Sequence, residues 1–262
     1  MAKARRIPRR FLTRLLTATA LVAAATVPII TVSATGAGGS EQRSAAATTA
    51  GGYWMYAADG GVFSFGNAAY EGAVPNQGND IVGMAATPSG PGYWMADDDG
   101  DVFVAGDARV FGSRASDADD VAGFTARPQG DGYWLATRTG SIENYGAASA
   151  FPWATVKLSH RITTMSSTNS GAGLWLAGID GGVLTFGDAG FFGSMGGKRL
   201  NQPIVGMTPT PSGHGYWLVA ADGGIFSFGD AAFYGSTGNL RLVSPVVGMA
   251  ATPSGAGYYL VA

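Results

Sequence analysis

A unit of about forty residues recurs along most of this chain, and its period constrains the fold more than any other feature. Each copy carries an aromatic pair or a variant of one, at Tyr53-Trp54, Tyr93-Trp94, Tyr133-Trp134, Leu174-Trp175, Tyr216-Trp217 and Tyr258-Tyr259. The steps between copies are 40, 40, 41, 42 and 42 residues. A period near 40 with several short apolar runs is typical of propeller blades, whereas helical arrays show an apolar rhythm of 3.6 residues.

The copy from Pro203 to Gly235 shows how one unit is organised. We divide it into four predicted strands, a to d, at Ile204 to Thr208, Tyr216 to Ala220, Gly224 to Phe228 and Ala232 to Gly235. Turn residues separate them, with Pro-Ser-Gly between a and b, Asp-Gly between b and c, and Gly-Asp between c and d. Asp-Gly between two apolar runs indicates a tight hairpin, because glycine adopts positive φ without steric cost. The unit is therefore predicted to be an antiparallel meander.

Strand b is apolar on both faces, since consecutive side chains of Tyr216-Trp217-Leu218-Val219 point in opposite directions. A sheet that is buried on both sides needs a neighbour on each side, and radially packed blades provide this. We therefore predict an all-β fold, a β-propeller of four-stranded antiparallel blades, over residues 52–262.

The two ends of the repeat region bear on how the ring closes. The first copy begins at strand b with Gly52, whereas the sequence ends with a strand a, Val246 to Ala250, and one more strand b, Tyr258 to Ala262. Joining that strand a to the first b–c–d closes a ring of five blades, which is our main prediction. One strand b is then in surplus, so a sixth incomplete blade, an open ring and self-association through this strand stay as alternatives.

The N-terminal segment has the layout of an export signal. Residues 1–14 are basic, Leu15 to Val32 is almost wholly apolar, and Val32-Ser33-Ala34 offers small residues for cleavage. We predict a signal peptide over residues 1–34, with an uncleaved anchor as the alternative, followed by a flexible linker over residues 35–51 rich in small residues. This predicts a secreted or cell-surface protein with no membrane span after cleavage.

A family resemblance rests on the segment GYWLVAADGGIFSFGDAAFYGS and the later PVVGMAATPSGAGYYLVA. These resemble the GYWLVA-x-DGGIF-x-FGDA-x-FYGS repeat of secreted and surface proteins of high-GC Gram-positive bacteria, over residues 52–262. The resemblance implies a β-propeller, a fold that such proteins often carry beside a hydrolase or cell-wall domain. It transfers no catalytic residue, because the motif is structural.

Several kinds of chemistry find no support in the residues. The chain has no cysteine, which excludes disulfides and thiolate metal sites, and it has no histidine pair at helical spacing. Without the six basic residues of the first 14 positions, 10 basic residues face 18 acidic ones, which disfavours nucleic acid as a partner. No Gly-x-Ser-x-Gly elbow occurs. We predict no catalytic residue, no metal site and no cofactor.

The histidines and the repeated aspartates have structural interpretations. His214 occupies the variable position of Pro-Ser-Gly-x-Gly and is predicted to be a solvated turn residue. His160 lies in the third copy, whose divergence we interpret as drift more readily than as a site. The aspartates before glycine in the b–c turns, such as Asp222, are explained by turn geometry rather than by calcium binding.

The loop between d and the next a is the connection whose composition varies most freely between copies. Variable loops on a rigid scaffold are where recognition is usually placed. We therefore predict ligand-binding residues on the face of these loops, namely Asp117, Asp119, Asp120, Lys198, Arg199 and Arg241. The predicted function is a non-enzymatic binding module at the cell envelope for a cell-wall glycan or a surface protein. The alternatives are a hydrolase or lyase with its site at the ring centre, and a structural surface repeat protein.

Overall fold

Antiparallel β-strands account for all regular structure in the part of the chain that the structure describes. The computed structural model describes Ala23–Ala24 and residues 52–74, 78–114, 119–152 and 160–262 of 262. Its strands form five three-stranded sheets and one two-stranded sheet. The all-β prediction is confirmed.

Each sheet takes its strands in chain order, and we number sheets and strands accordingly. Sheet 1 contains β1 (Ala23–Ala24), β2 (Tyr53–Tyr56) and β3 (Val62–Phe65). Sheet 2 contains β4 (Ile81–Ala86), β5 (Gly92–Asp97) and β6 (Val102–Gly106), and sheet 3 contains β7 (Val121–Ala126), β8 (Gly132–Thr137) and β9 (Ile142–Gly146). Sheet 4 contains β10 (Ile162–Ser167), β11 (Gly173–Gly178) and β12 (Val183–Gly187). Sheet 5 contains β13 (Ile204–Pro209), β14 (Gly215–Ala220) and β15 (Ile225–Gly229), and sheet 6 contains β16 (Gly248–Ala251) and β17 (Tyr258–Val261).

The predicted strands a, b and c are present in sheets 2 to 5, but segment d is not a strand, so the prediction of four-stranded blades is wrong. The tryptophan of strand b binds segment d instead, through its indole N–H and a main-chain carbonyl fifteen residues later. These bonds measure 2.7–2.8 Å and join Trp54 to Ala69, Trp94 to Arg109, Trp134 to Ser149, Trp175 to Gly190 and Trp217 to Ala232. Because side chains satisfy part of its backbone, segment d is held in place without joining a strand ladder.

The ends of the repeat region also pair differently from the main prediction. β16 pairs with β17, with Ala250 opposite Tyr259, and not with β2. The surplus strand b follows β16 after one short turn, and closing a short local hairpin costs less chain entropy than joining distant ends. The inner position of sheet 1 is taken by β1, with Ala23 opposite Trp54.

β1 lies inside the segment that the sequence predicts to be an export signal. The signal over residues 1–34 stays a prediction, and apart from Ala23–Ala24 its residues lie outside the described part, as does the predicted linker over residues 35–51. If the signal is cleaved after Ala34, sheet 1 of the mature protein loses its inner strand.

The hydrophobic core lies between neighbouring sheets, in spaces that we call seams. In sheets 2 to 5 every residue of strand b is buried, as the two apolar faces predicted. The seam between sheets 4 and 5, for example, packs Trp175 against Ile204, Met207 and Tyr216. Neighbouring sheets share a ring contact between Trp and Tyr of strand b, at 5.5 Å for Trp54 and Tyr93, 6.4 Å for Trp94 and Tyr133, 5.9 Å for Trp175 and Tyr216, and 5.8 Å for Trp217 and Tyr258.

The first and last sheets are neighbours as well. The rings of Tyr53 in β2 and Tyr259 in β17 stack with their centroids 5.8 Å apart. Tyr259 holds the tryptophan position of its copy, so this contact repeats the one found in the other seams. The sheets are therefore arranged in a ring, with the a strands side by side at its centre.

Candidate functional site

A channel runs through the centre of the ring and is lined by the a strands. Each of β4, β7, β10 and β13 has a register shift after its first residue, as between Ile81 and Gly83, so that the second residue is left out of the ladder. These second residues and their counterpart before β16 line the channel: Val82, Ala122, Thr163, Val205 and Val247. They border both of its chambers, which measure about 430 and 220 Å³.

The larger chamber opens on the face that carries the b–c turns and the d–a loops, which we call the b–c face. The two kinds of connection meet there, since the main-chain N–H of Ile81 donates to Ala58 at 2.8 Å and that of Val121 donates to Asp98 at 2.8 Å. The a–b and c–d turns lie on the opposite face, which we call the a–b face. The meander predicted this division of the connections between two faces.

Among the described residues, the charged ones that border the channel mouth lie on one side of it. Two positions per copy surround the mouth, one in the b–c turn and one just before strand a. The turn position is held by Ala58, Asp98, Arg138, Ile179 and Ala221, and the other position by Asp80, Asp120, Arg161, Pro203 and Pro245. We call the five charged members of this set, Asp80, Asp98, Asp120, Arg138 and Arg161, the charged arc.

Main-chain bonds position the charged arc. The N–H of Asp98 donates to the carbonyl of Asp80 at 2.9 Å, and the N–H of Asp80 donates to the Asp98 carboxylate at 3.1 Å. The N–H of Arg138 donates to the carbonyl of Asp120 at 2.9 Å, and its Nε lies 3.4 Å from a carboxylate oxygen of Asp120. That Nε is buried and makes no hydrogen bond of good geometry. The side chain of Arg161 is exposed.

Asp98 is the carboxylate of the arc that its surroundings affect most clearly. Burial raises the pKa of Asp98, and the nearby charges of Asp80, Asp99 and Asp120 raise it further, against the opposing hydrogen bond from the Asp80 N–H. Burial also raises the pKa of the neighbouring Asp97, whose carboxylate accepts backbone N–H groups of the b–c turn. Crowded carboxylates of this kind favour a proton, a cation or a hydrogen-bond donor from a ligand.

The residues predicted from the sequence do not form one cluster. Asp120 lies in the charged arc. Asp119 accepts a hydrogen bond from the Thr139 hydroxyl and, at its carbonyl, one from the Arg114 guanidinium. Burial acts to raise the pKa of Asp119, but the hydroxyls of Thr137 and Thr139, the Thr139 N–H and the charge of Arg114 together lower it below its ordinary value.

The other predicted residues lie apart from these. Lys198, Arg199 and Arg241 are exposed on the loops that follow sheets 4 and 5. Asp117 lies outside the described residues. Of the predicted residues, Asp120 therefore lies in the charged arc, whereas Asp80, Asp98 and Arg138 were not selected from the sequence. A comparison of equivalent positions across the copies, where these three interrupt a series of Ala, Ile and Pro, could have found them.

Two features of the divergent third copy are structural. Glu143 stands where other copies have Phe103, Leu184 or Phe226, and its carboxylate lies 2.8 Å from Nε of the buried Arg114, with a second bond from the Tyr145 hydroxyl at 2.8 Å. An ion pair here replaces an apolar contact of the other seams.

His160 is also explained by a contact that recurs. Its Nδ1 lies 3.0 Å from the carboxylate of Asp180 in the next b–c turn. Asn79 makes the equivalent bond to Asp99, at 2.9 Å. Asp180 and Asp222 each accept the N–H two residues later, at 3.1 and 3.0 Å, as the turn interpretation of the repeated aspartates requires.

The a–b face carries a repeated bond set that sequence reasoning missed. The Thr and Ser of Thr-x-Ser-Gly both donate to the aspartate of the c–d turn, and we call each set a pin. The pins are Thr87, Ser89 and Asp107, then Thr168, Ser170 and Asp188, then Thr210, Ser212 and Asp230, with Thr-to-Asp distances of 2.8 Å. The third copy has Arg127, Gln129 and Ala147 instead, beside a cleft of about 490 Å³ that contains Arg109 and Asp131.

No metal or membrane feature accompanies these sites in the described residues. Within them, no group of three His, Cys, Asp or Glu side chains is placed to hold a metal ion. The same residues contain no helix that is long and apolar enough to cross a membrane.

Comparison with solved structures identifies the architecture. The chain matches the β-propeller domain of Cps50 (Swd1) from Myceliophteria thermophila with a TM-score of 0.50 and 13% identity, over 77% of this chain and 73% of that one. The fold is a β-propeller. No protein-family model and no curated protein matches the sequence. At this identity the likeness concerns the propeller fold alone.

Proposed function

We propose that this β-propeller is an exported, non-enzymatic binding module that recognises a glycan or a protein of the cell envelope through the channel mouth of its b–c face. The observation that carries the proposal is the charged arc. In a ring whose other mouth positions are Ala, Ile or Pro, five charged residues occupy one side. Charges that break a repeat pattern at a concave opening are more readily explained by a ligand than by the fold.

The chemistry of the mouth suits a ligand with both donors and acceptors. Asp80 and Asp98 offer acceptor oxygens, whereas Arg161 offers guanidinium donors a short way round the ring. The opposite side of the mouth, with Ile179 and Pro203, is apolar and can contact a sugar ring or an aliphatic side chain. A saccharide or a polar loop of a protein meets these requirements better than a phosphate-rich polymer, because the arc contains more carboxylates than guanidiniums.

The proposed location rests on the N-terminal segment and on the repeat resemblance. Basic residues, an apolar run and small residues in that order are the layout of an export signal. We propose cleavage after Ala34 and a mature protein that is secreted or held at the cell surface.

We also propose that the ring has six blades, of which the last is incomplete. The contact between Tyr53 and Tyr259, at 5.8 Å, supports this, since it reproduces the Trp–Tyr contact of the other seams between the first sheet and the sixth. A mass of the secreted form together with its solution scattering profile tests cleavage and ring closure in one preparation.

The binding proposal is tested with a pair of double variants of the full chain. Asp98→Asn with Arg161→Gln removes two charges of the arc, and Asp131→Asn with Arg109→Gln removes a matched pair on the a–b face. We expect the first to weaken binding to purified cell wall, or to a hit on a glycan array, by about tenfold or more, since removing charged partners from an interface typically costs at least that much.

The control pair should bind like the unchanged protein. Unchanged binding by the arc variant would remove the mouth from the function, and a loss confined to the control pair would transfer the site to the cleft on the a–b face. Turnover of an ester or glycoside panel by the purified protein would contradict the proposal that it is not an enzyme.

A further inference from the structure

The d–a loops that follow sheets 4 and 5 are built alike. They have the same length and align as Ser194 to Gln202 with Ser236 to Ser244. Near its start, each loop is bound to the b–c turn of its own copy by a main-chain N–H. These bonds join Met195 to Gly181 at 2.8 Å and Thr237 to Gly223 at 3.1 Å. The start of each loop is therefore fixed to the ring.

A leucine in each loop packs inward and determines which side chains point outward. Leu200 packs in the seam between sheets 4 and 5, and Leu242 packs in the seam between sheets 5 and 6. The side chains next to these leucines are exposed, namely Lys198, Arg199 and Asn201 in the first loop and Leu240, Arg241 and Val243 in the second. The loops are thus anchored at both ends of this stretch and present these side chains to solvent.

The two loops are neighbours on the b–c face. Gln202 at the end of the first loop lines a groove of about 280 Å³ together with Leu240, Leu242 and Val243 of the second. The carboxylate in this groove belongs to Asp222, and it is bound within its own turn by the N–H of Gly224 at 3.0 Å. We call the exposed residues Lys198, Arg199, Leu240, Arg241 and Val243 the basic-apolar patch.

The basic-apolar patch is positively charged in a protein with an excess of acidic residues beyond its first 14 positions. Neither loop contains an Asp or a Glu. Within the described part of the chain, the three cations of the patch form no ion pair. The charged arc, with the carboxylates of Asp80, Asp98 and Asp120, lies on the other side of the channel mouth. The b–c face therefore has one side that attracts a negatively charged surface and one side that such a surface repels.

The apolar members of the patch extend into water. Leu240 is 59% exposed and Val243 is fully exposed. The position of Val243 is also exposed in the fourth copy, where Asn201 holds it and the next sheet is complete. Its exposure is thus a property of the loop and not of the end of the chain. Apolar side chains that protrude beside cations are typical of a surface that enters the boundary between lipid headgroups and acyl chains.

We infer that the basic-apolar patch docks this protein on an anionic lipid surface. Lys198, Arg199 and Arg241 lie against the headgroups, whereas Leu240 and Val243 enter the apolar layer beneath them. The carboxylates of the charged arc stay in water, because an anionic surface repels them. An anionic polymer would also bind the cations, but it would leave the two apolar side chains exposed, and a lipid surface therefore fits better. This inference adds a second binding surface to the one proposed at the channel mouth and does not depend on it.

Sedimentation of the full chain with lipid vesicles tests the contribution of charge. We expect binding to vesicles of phosphatidylglycerol and phosphatidylcholine that weakens as salt is added, and no binding to vesicles of phosphatidylcholine alone. Arg241→Gln should weaken binding about fivefold, the usual contribution of one cation near an anionic membrane. Arg109→Gln, which removes an exposed cation from the a–b face, should leave binding unchanged.

A matched pair of double variants tests the contribution of the apolar side chains. Leu240→Ser with Val243→Ser should weaken vesicle binding by about tenfold or more, since apolar area no longer leaves water. Phe191→Ser with Phe233→Ser removes two equally exposed apolar side chains from segments d and should have no effect. Unchanged binding by the first pair, together with equally tight binding to polyphosphate, would overturn the inference in favour of an anionic polymer.

The emission of an added tryptophan shows whether the patch enters the lipid. In Val243→Trp, the emission gained over the unchanged protein should move to shorter wavelength when anionic vesicles are added. In Phe233→Trp, on segment d, the gained emission should not move. Equal binding to neutral vesicles, equal losses with Arg109→Gln and Arg241→Gln, or an unmoved emission from position 243 would each overturn the inference.

Discussion

The seam between sheets 4 and 5 and the seam between sheets 6 and 1 share a lining but differ in cover. Both bring an aromatic residue of one strand b against a tyrosine of the next, at 5.9 Å for Trp175 and Tyr216 and 5.8 Å for Tyr259 and Tyr53. In the first, segment d of the fourth copy lies over the pair, and Trp175 is 1% exposed. In the second no such segment is present in the described chain, and Tyr259 is 46% exposed. The contact between sheets thus survives without segment d, but burial does not.

This difference shows where the ring is stabilised. Burying a large aromatic side chain contributes free energy roughly in proportion to the apolar area removed from water. Segment d provides that burial while contributing no strand of its own, because its backbone is bound by tryptophan and tyrosine side chains from two sheets. Where the next strand b carries the tyrosine, the seam between consecutive sheets is therefore a three-part contact of tryptophan, tyrosine and segment d, and the seam between sheets 6 and 1 has two of the three parts in the described chain.

The largest expected effect on stability comes from replacing the strand b residue at the tryptophan position, which is Trp175 in the seam between sheets 4 and 5 and Tyr259 in the seam between sheets 6 and 1. Trp175→Ala should lower the free energy of unfolding by about 3–5 kcal/mol, because it leaves a cavity and removes the hydrogen bond from the indole N–H to the carbonyl of Gly190. Tyr259→Ala should cost less than about 1.5 kcal/mol, since nearly half of the side chain is already in water. Urea unfolding of both variants measures the difference. Equal losses would mean that segment d does not determine the burial of the pair.

A second comparison isolates the contact between the glycine of segment d and strand c. Gly193→Val should be more destabilising than Gly235→Val by about 1–3 kcal/mol, the cost of overpacking. Both glycines have positive φ, at 137° and 110°, so both variants suffer backbone strain. Of the two, only Gly193 has an aromatic ring, that of Phe228, where the Cβ would lie, because the described part of sheet 6 has no strand c beside Gly235. Urea unfolding measures both, and equal effects would contradict the role of Phe228.

The smallest effect concerns the pins of the a–b face. The Ser212 hydroxyl, and less strongly that of Thr210, lowers the pKa of Asp230 below its ordinary 3.8, against an opposing effect of burial. Ser254 occupies the same position in the last copy but has no c–d aspartate to bind within the described chain. Ser212→Ala should therefore destabilise the protein by less than about 1 kcal/mol near neutral pH, and Ser254→Ala by still less.

The sign of the pH dependence follows from the lowered pKa. The stability that the Asp230 pin contributes is fully present above pH 3.8, which is the pKa of this carboxyl in the unfolded chain. It is lost as the pH falls through the lower pKa of the folded state. The unfolding free energies of Ser212→Ala and the unchanged protein should thus converge in acid. Thermal unfolding across the acidic range measures this, and a difference that persists at the lowest pH would show that the pin acts independently of charge.

Most of the secondary structure could be predicted from the repeat. Strands a, b and c and their turns follow from local signals, such as Asp222-Gly223 and the two apolar faces of Tyr216 to Val219. Segment d was wrongly predicted as a strand, because its apolar and small residues have the composition of one. Nothing in Ala232 to Gly235 shows that its backbone is bound by Trp217 on one side and Tyr258 on the other.

The candidate site was predicted only in part. The d–a loops and b–c turns were correctly placed on one face by the meander, and Asp120 lies at the mouth there. Asp98 and Arg138 were not selected, because each looks like an ordinary turn residue within its own copy. These two residues form part of a site only because the ring brings the same position of every copy to one opening.

The sequence by itself determined the repeated unit, its turns and its doubly apolar strand b, since these depend on interactions between residues close along the chain. Only the tertiary structure decided that segment d fills seams and that the last strand a pairs with the strand after it. These outcomes depend on which surfaces meet across the ring, and a local pattern shared by every copy holds no information that distinguishes one seam from another.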